Sequence, residues 1–250
     1  IFAIFPRNGE PCLVMNERSA RPVRFSIEQG KLWVQDIVFY AEHLKVVDRL
    51  PLITQVHELL AACLVKSGLQ RARIGVESLT GALSAAQKIL PGLQLRPCLA
   101  ELRSMRWQKH AEELAVMEAA ASLADWLQER YRENIRPGRL VQELDCAMAS
   151  LWVQEAARRV PGEHFEVIRA WTVSGPASAS PHGDGASCGQ VIYEGDVLVN
   201  ILIPRLNGLA IENERTWFCG TPSSEQVALW TAAKDANVAA VNAARTGNPV

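Results

Sequence analysis

The sequence carries almost no net charge, no long apolar run and no paired cysteines. Lysine and arginine number 26 against 27 aspartates and glutamates, for a net charge of -1. No field is set up to draw the chain to nucleic acid or to an anionic membrane. Its apolar runs fall well short of the roughly 20 residues that a membrane helix needs. No basic start followed by an apolar core marks a signal peptide. The six cysteines, Cys12, Cys63, Cys98, Cys146, Cys188 and Cys219, form no CxxC and no Cys/His cluster. That excludes the usual structural zinc patterns and leaves reduced thiols in a cytoplasmic protein as the expectation. Internal repeats and low-complexity tracts are absent as well.

What is there is a globular composition, 48% apolar and 21% charged over 250 residues, with room for one large domain or two ordinary ones. The chain begins on an apolar run without a methionine and stops at Gly247-Asn248-Pro249-Val250, a turn signal. An internal fragment is expected.

Ile1 to Phe5 and Cys12 to Met15 are short apolar runs around Asn8-Gly9, a strong hairpin signal because both residues tolerate positive φ. Leu52 to Lys66 has helical spacing and ends at Gly68. Arg73 to Glu77 reads as a short buried strand, Leu79 to Leu90 as a helix stopped by Pro91-Gly92, and Leu93 to Cys98 as another strand. This alternation predicts an α/β layer with a partly parallel sheet. The pattern changes near residue 100. A long amphipathic helix follows from about Gln108, with Leu114, Met117, Ala121, Ala124 and Leu127 on one face. A second carries Leu140, Leu144, Met148 and Trp152. Glu166 to Val173 reads as a strand. Thr221-Pro222 reads as a helix start, leading into a helix with Val227, Trp230, Val238 and Val241.

Ser174 to Phe218 holds the chemistry. A Gly/Pro/Ser-rich loop carries one histidine, His182, and two apolar runs follow, Val197 to Ile203 and Leu209 to Phe218. The second run has Glu212, Glu214 and Arg215 in its middle, although an unpaired buried carboxylate is costly. Residues two apart on a strand share a side. Glu212 and Glu214 are therefore expected to point together, and Asn213 and Arg215 to the other side. A histidine loop ahead of two carboxylates reads either as a site or as a salt-bridged, solvent-facing edge. Cys188, in the same loop, has no neighbour that would activate a thiol.

In order, ELRSMRWQKHAEEL opening a long helix, Ser174-Gly175-Pro176, Pro181-His182, a strand led by Gly195-Asp196, and Gly208 ahead of Glu214-Arg215-Thr216 resemble the pita-bread hydrolases. That family comprises aminopeptidase P, prolidase, methionine aminopeptidase and creatinase. The resemblance spans essentially the whole chain. It implies an α/β amino-terminal domain over residues 1–100, then the first half of an α+β pita-bread domain over 101–250, with the carboxyl-terminal half absent. It also implies a homodimer that hydrolyses a C–N bond in a small-molecule or dipeptide substrate.

Metal-dependent members of the family hold two divalent ions with two aspartates, a histidine and two glutamates. Counting back from Gly208, the first aspartate's position is Ile201, with Asn200 beside it; the second is Glu212. The other three ligands would come from the absent half. A dinuclear site needs several converging oxygen ligands, so no metal ligand is assigned. Manganese, cobalt or zinc would enter only if Glu212 and residues beyond 250 form a site. Asn200 and Glu214 are instead similar to the pattern of creatinase, which works without metal. That resemblance makes His182 the general base and acid, with a pKa suited to the task. Glu214, with Glu212 and Asn200, would bind substrate, gripping a cationic group through charge-assisted hydrogen bonds. The alternatives are a metal-dependent Xaa-Pro dipeptidase or aminopeptidase and a catalytically inactive binding module. The 250-residue piece by itself is expected to be inactive.

Overall fold

The structure, a computed structural model, describes residues 1–41, 56–179 and 189–249. It divides into two compact units, Ile1–Gln108 and Lys109–Val250.

In the first unit, β1 (Phe2–Ile4) and β2 (Cys12–Asn16) form the antiparallel hairpin that Asn8-Gly9 predicts, with Gly9 at φ 107°. Helix α1 (Ala20–Glu28) leads to β3 (Asp36–Tyr40), which lies parallel to β2. Neither element stands out in the sequence. Helix α2 (Val56–Lys66) turns Val56, Leu60, Ala61, Cys63 and Leu64 inward; the start of the expected helix lies outside the described residues. Then come β4 (Arg73–Val76), α3 (Gly81–Ile89) and β5 (Gln94–Pro97), with β4 and β5 parallel. Of β4, expected to be a buried strand, only Val76 is buried. The core packs Ile4, Cys12 and Val14 against Leu60, Leu64, Ala86 and Leu93.

The long helix expected from about Gln108 forms, and a shorter helix precedes it. After α4 (Leu99–Trp107) the chain restarts as α5 (Ala111–Asn134), with a capping box between His110 and Glu113. The buried stripe of α5 is Ala120, Leu123, Ala124, Leu127, Gln128 and Tyr131. Leu114, placed on the core face by periodicity, is exposed. Helix α6 (Val141–Arg159) buries Leu144, Met148 and Trp152 as expected, while Leu140 becomes its exposed N-cap. These helices cover one face of an antiparallel sheet ordered β10-β7-β6, built from β6 (Arg169–Ser174), β7 (Val197–Ile203) and β10 (Asn213–Phe218). Between β7 and β10 sits a tight hairpin of β8 (Arg205–Leu206) and β9 (Leu209–Ala210). It turns on Asn207 at φ 50° and Gly208 at φ 80°, as a primed turn requires. Helix α7 (Ser224–Ala243) is capped by Ser223 rather than Thr221 and buries none of its residues. No described helix is long and apolar enough to cross a membrane.

Candidate functional site

Register sorts the side chains of the β10-β7-β6 sheet onto two faces. Leu198 and Leu202 of β7, Ala170 of β6 and Trp217 of β10 belong to the core under α5 and α6. Asn200 lies on that same side, because Leu198, Asn200 and Leu202 alternate along β7. Residues of the opposite set turn away from the helices. One row across the sheet is Trp171, Ile201 and Glu214, and the next is Val173, Val199 and Thr216. Arg169 pairs with Ile203 one row further along.

On the helix side a polar cluster is sealed in. Asp145 of α6 accepts three hydrogen bonds, from Tyr131 Oη at 2.9 Å, Thr172 Oγ1 at 2.6 Å and Thr172 N at 3.0 Å. Asn200 Nδ2 donates to Thr172 Oγ1 at 2.8 Å, and Asn200 Oδ1 is buried without a partner among the described residues. Burial pushes the Asp145 carboxyl above the usual aspartate range despite the donors from Thr172 and Tyr131. It also pushes the Tyr131 phenol well up, helped by the Asp145 charge. Nearer the edge, Asp125 of α5 accepts from Asn213 Nδ2 and Arg215 Nη2, both at 2.9 Å. Asn213 and Arg215 therefore do share a side, and Arg215 is spent on an ion pair.

Glu214 stands on the other face, exposed, and Glu212 lies exposed just before β10. Neither carboxylate has a cationic partner among the described residues, so the salt-bridged edge does not form there. Asn200 does not join them. Fully buried on the helix side, its amide is engaged with Thr172 and cannot reach a ligand that Glu214 would hold. His182 and Cys188 lie outside the described residues.

The stems of the His182 loop are anchored. Asp196 accepts from Ser174 Oγ and from Tyr193 N, both at 2.9 Å. Gln190 Nε2 reaches back to Ser174 O at 2.5 Å, and Gly189 N donates to Gln142 Oε1 at 3.0 Å. Gly175 leaves β6 at φ 59°, where a Cβ would stand 2.9 Å from Asp196 Oδ1.

Residues 115–250 match the metallopeptidase family M24. The chain belongs to that family. Solved structures agree on the fold. The chain superimposes on an Xaa-Pro dipeptidase from Bacillus anthracis with a TM-score of 0.69 at 18% identity, covering 94% of this chain and 59% of that one. A prolidase from Thermococcus sibiricus gives 0.70 at 18%, covering 96% and 59%. The prolidase from Pyrococcus horikoshii OT3 gives 0.70 at 19%, covering 94% and 59%. The M24 chain thus spans under two thirds of these structures' length, and the carboxyl-terminal part of the pita-bread domain is absent from it. No curated protein matches.

The strand pair of this M24 chain does not fit a metal pair. At the position that the resemblance assigns to the first aspartate stands Ile201, 1% exposed and directly opposite Glu214. An aliphatic side chain donates nothing to a hard cation, which leaves Glu212 and Glu214 as the carboxylates this strand pair offers. Among the described residues no three His, Cys, Asp or Glu side chains converge. Sequence reasoning also passed over Arg169 and Trp171, whose guanidinium and ring lie 4.6 Å apart. Alternation along β6 would have found them, since residues 169, 171 and 173 share the face of Glu214.

Proposed function

We propose that this chain is the amino-terminal part of a C–N bond hydrolase of the M24 family whose proton transfers run through His182 rather than through a metal-bound water. The observation that carries the reading is the juxtaposition, across β7 and β10, of buried Ile201 with a Glu214 that has no cationic partner among the described residues. A carboxylate so placed suits a cationic substrate group held by charge-assisted hydrogen bonds. Glu212 adds a second negative charge beside it. Asn200 serves from below, tying Thr172 and hence β6 to β7. In this reading His182 takes a proton from water as it attacks and returns it to the departing nitrogen, as a general base and then a general acid. The whole protein acts as a homodimer in the cytoplasm on a small molecule or dipeptide.

The test is elemental analysis of the full-length protein purified without chelator, with hydrolysis assayed before and after EDTA. No bound manganese, cobalt or zinc, and EDTA-insensitive cleavage that is lost in His182→Ala, is the expected result. About two ions per chain with EDTA-sensitive Xaa-Pro cleavage would replace this reading by a metallopeptidase that enlists Glu212. Neither metal nor turnover would leave a binding module, a reading that the apolar row of Trp171 and Ile201 also accommodates.

A further inference from the structure

The sequence holds two Asn-Gly pairs, Asn8-Gly9 and Asn207-Gly208, and each lies in the turn of a hairpin. Glycine has no side chain to shield its backbone nitrogen, which can therefore attack the Cγ of the asparagine before it. Whether it does so in a folded chain depends on the freedom of the asparagine amide to turn. The two pairs differ in that freedom. The Asn207 N–H donates to His164 O at 2.7 Å, its Oδ1 accepts from His164 N at 3.1 Å, and its Nδ2 donates to Glu163 Oε2 at 2.7 Å. Both ends of that side-chain amide are engaged, and Glu163 holds the nitrogen that would have to leave. Asn8 is exposed, as are Arg7, Gly9 and Glu10 around it. Among the described residues neither its side-chain amide nor the Gly9 N–H has a hydrogen-bond partner. The space about Gly9 is open as well, since even an added Cβ would meet only Pro6 Cγ, at 3.9 Å.

From this we propose that Asn8 is a site of spontaneous deamidation in the folded protein, and that the clamp from Glu163 and His164 protects Asn207 from the same reaction. The Gly9 nitrogen bonds to Asn8 Cγ and gives its proton to solvent base. The Cγ–Nδ2 bond breaks, and ammonia leaves behind a succinimide ring. Water then opens the ring at either carbonyl, giving aspartate or isoaspartate; no oxidant and no reactant besides water enters. The product sets a new carboxylate between Arg7 and Glu10, and its isoaspartyl form lengthens the main chain inside the turn. That turn fixes the register in which Ile4 meets Cys12, and both residues belong to the core of the first unit. Modification at an exposed position thus bears on the packing of the amino-terminal unit.

Peptide mapping by mass spectrometry, on the intact protein held in warm, mildly alkaline buffer, reads both positions in one sample. Enzymatic carboxyl methylation counts the isoaspartate formed. Asn8 is expected to convert about tenfold faster than Asn207, whose side chain must first break its bonds to His164 and Glu163. In urea, where the clamp is gone, the two rates should meet. Glu163→Ala should speed the conversion of Asn207 several-fold and leave Asn8 unchanged, while Glu163→Gln, which keeps an acceptor, should retain the protection. Glu163 is exposed, so a thermal melt should show both variants folded. Conversion of Asn8 no faster than that of Asn207 in the folded protein, with both fast in urea, overturns the assignment of Asn8. An Asn207 rate indifferent to Glu163→Ala overturns the clamp.

Discussion

Tyr131 of α5 donates its hydroxyl to Asp145 of α6 at 2.9 Å, in a place where the phenol is wholly buried and the carboxylate nearly so. The same carboxylate takes both the backbone N–H and the hydroxyl of Thr172. One side chain thus joins two helices to an edge strand of the sheet. Removing a donor costs less than removing the acceptor, because the acceptor's loss strands three donors in an apolar interior. Tyr131→Phe should lower unfolding stability by about 1 kcal/mol, and Asp145→Ala by about 3 kcal/mol or more. Urea denaturation of both variants checks the order; equal losses would mean that Asp145 contributes no more than its bond to Tyr131.

Two carboxyls should give opposite pH dependences. Asp145 titrates above its ordinary value because burial resists its charge. The folded state therefore holds that proton longer, and the stabilising contribution, complete below the ordinary aspartate range, fades as pH rises through the raised value. Glu155 is the reverse. Arg158 donates to it at 2.6 and 2.9 Å and Arg159 at 2.6 Å, holding its carboxyl at about 2. Its contribution is complete above the ordinary glutamate range and is lost as pH falls toward 2. Stability measured from pH 2 to pH 7 should lose its acid-side slope in part in Glu155→Gln. A slope unchanged in that variant would assign acid unfolding to other carboxylates.

Much of this arrangement is legible in the residues themselves. Asn8-Gly9 announces the β1–β2 hairpin, and Leu144, Met148 and Trp152 announce the core face of α6. Alternation puts Asn213 and Arg215 on one side, where both reach Asp125. Other features need tertiary information. Periodicity puts Leu114 on the core face of α5, but the first turns of that helix do not reach the core, while Tyr131 and Gln128 at its far end do. Nothing but the cap at His110 and Glu113 marks the break from α4, and no glycine or proline signals it. Asn200 looks like a site residue next to Ile201, yet neighbours on a strand face opposite ways. Only the pairing of β7 with β6 and β10 shows which of the two shares the face of Glu214.

Gly175 is the point at which the His182 loop leaves β6, and it tolerates no side chain. Its φ of 59° is unfavourable for alanine, and an added Cβ would press on Asp196 Oδ1. Asp196 cannot give way freely, because its other oxygen holds Ser174 and Tyr193. Gly175→Ala should cost about 1–3 kcal/mol of stability. In the full-length protein it should also depress kcat more than the melting temperature predicts, since it displaces the stem of the loop that carries the proposed base. A variant with lowered stability but unaltered kcat would separate the stem's geometry from catalysis.

Ile201, at the position that the resemblance assigns to an aspartate, gives the sharpest stability test. Ile201→Asp restores the expected carboxylate, but at a site 1% exposed and opposite Glu214. Without a cation, the new charge would be buried beside a like charge, and either effect raises its pKa. Stability should fall by about 2–4 kcal/mol at neutral pH and recover in part as pH drops and the new carboxyl takes up a proton. Ile201→Asn, equally polar but uncharged, should lose less and show no such recovery. Added manganese decides what the rest of the face can do. If its oxygen ligands are as poor as the residues of β6, β7 and β10 make them, the ion should leave the melting temperature of Ile201→Asp unchanged in the presence of Glu212 and Glu214. A rise that tracks manganese concentration would show that a single substitution completes a metal site, and that Ile201 is what keeps the metal out.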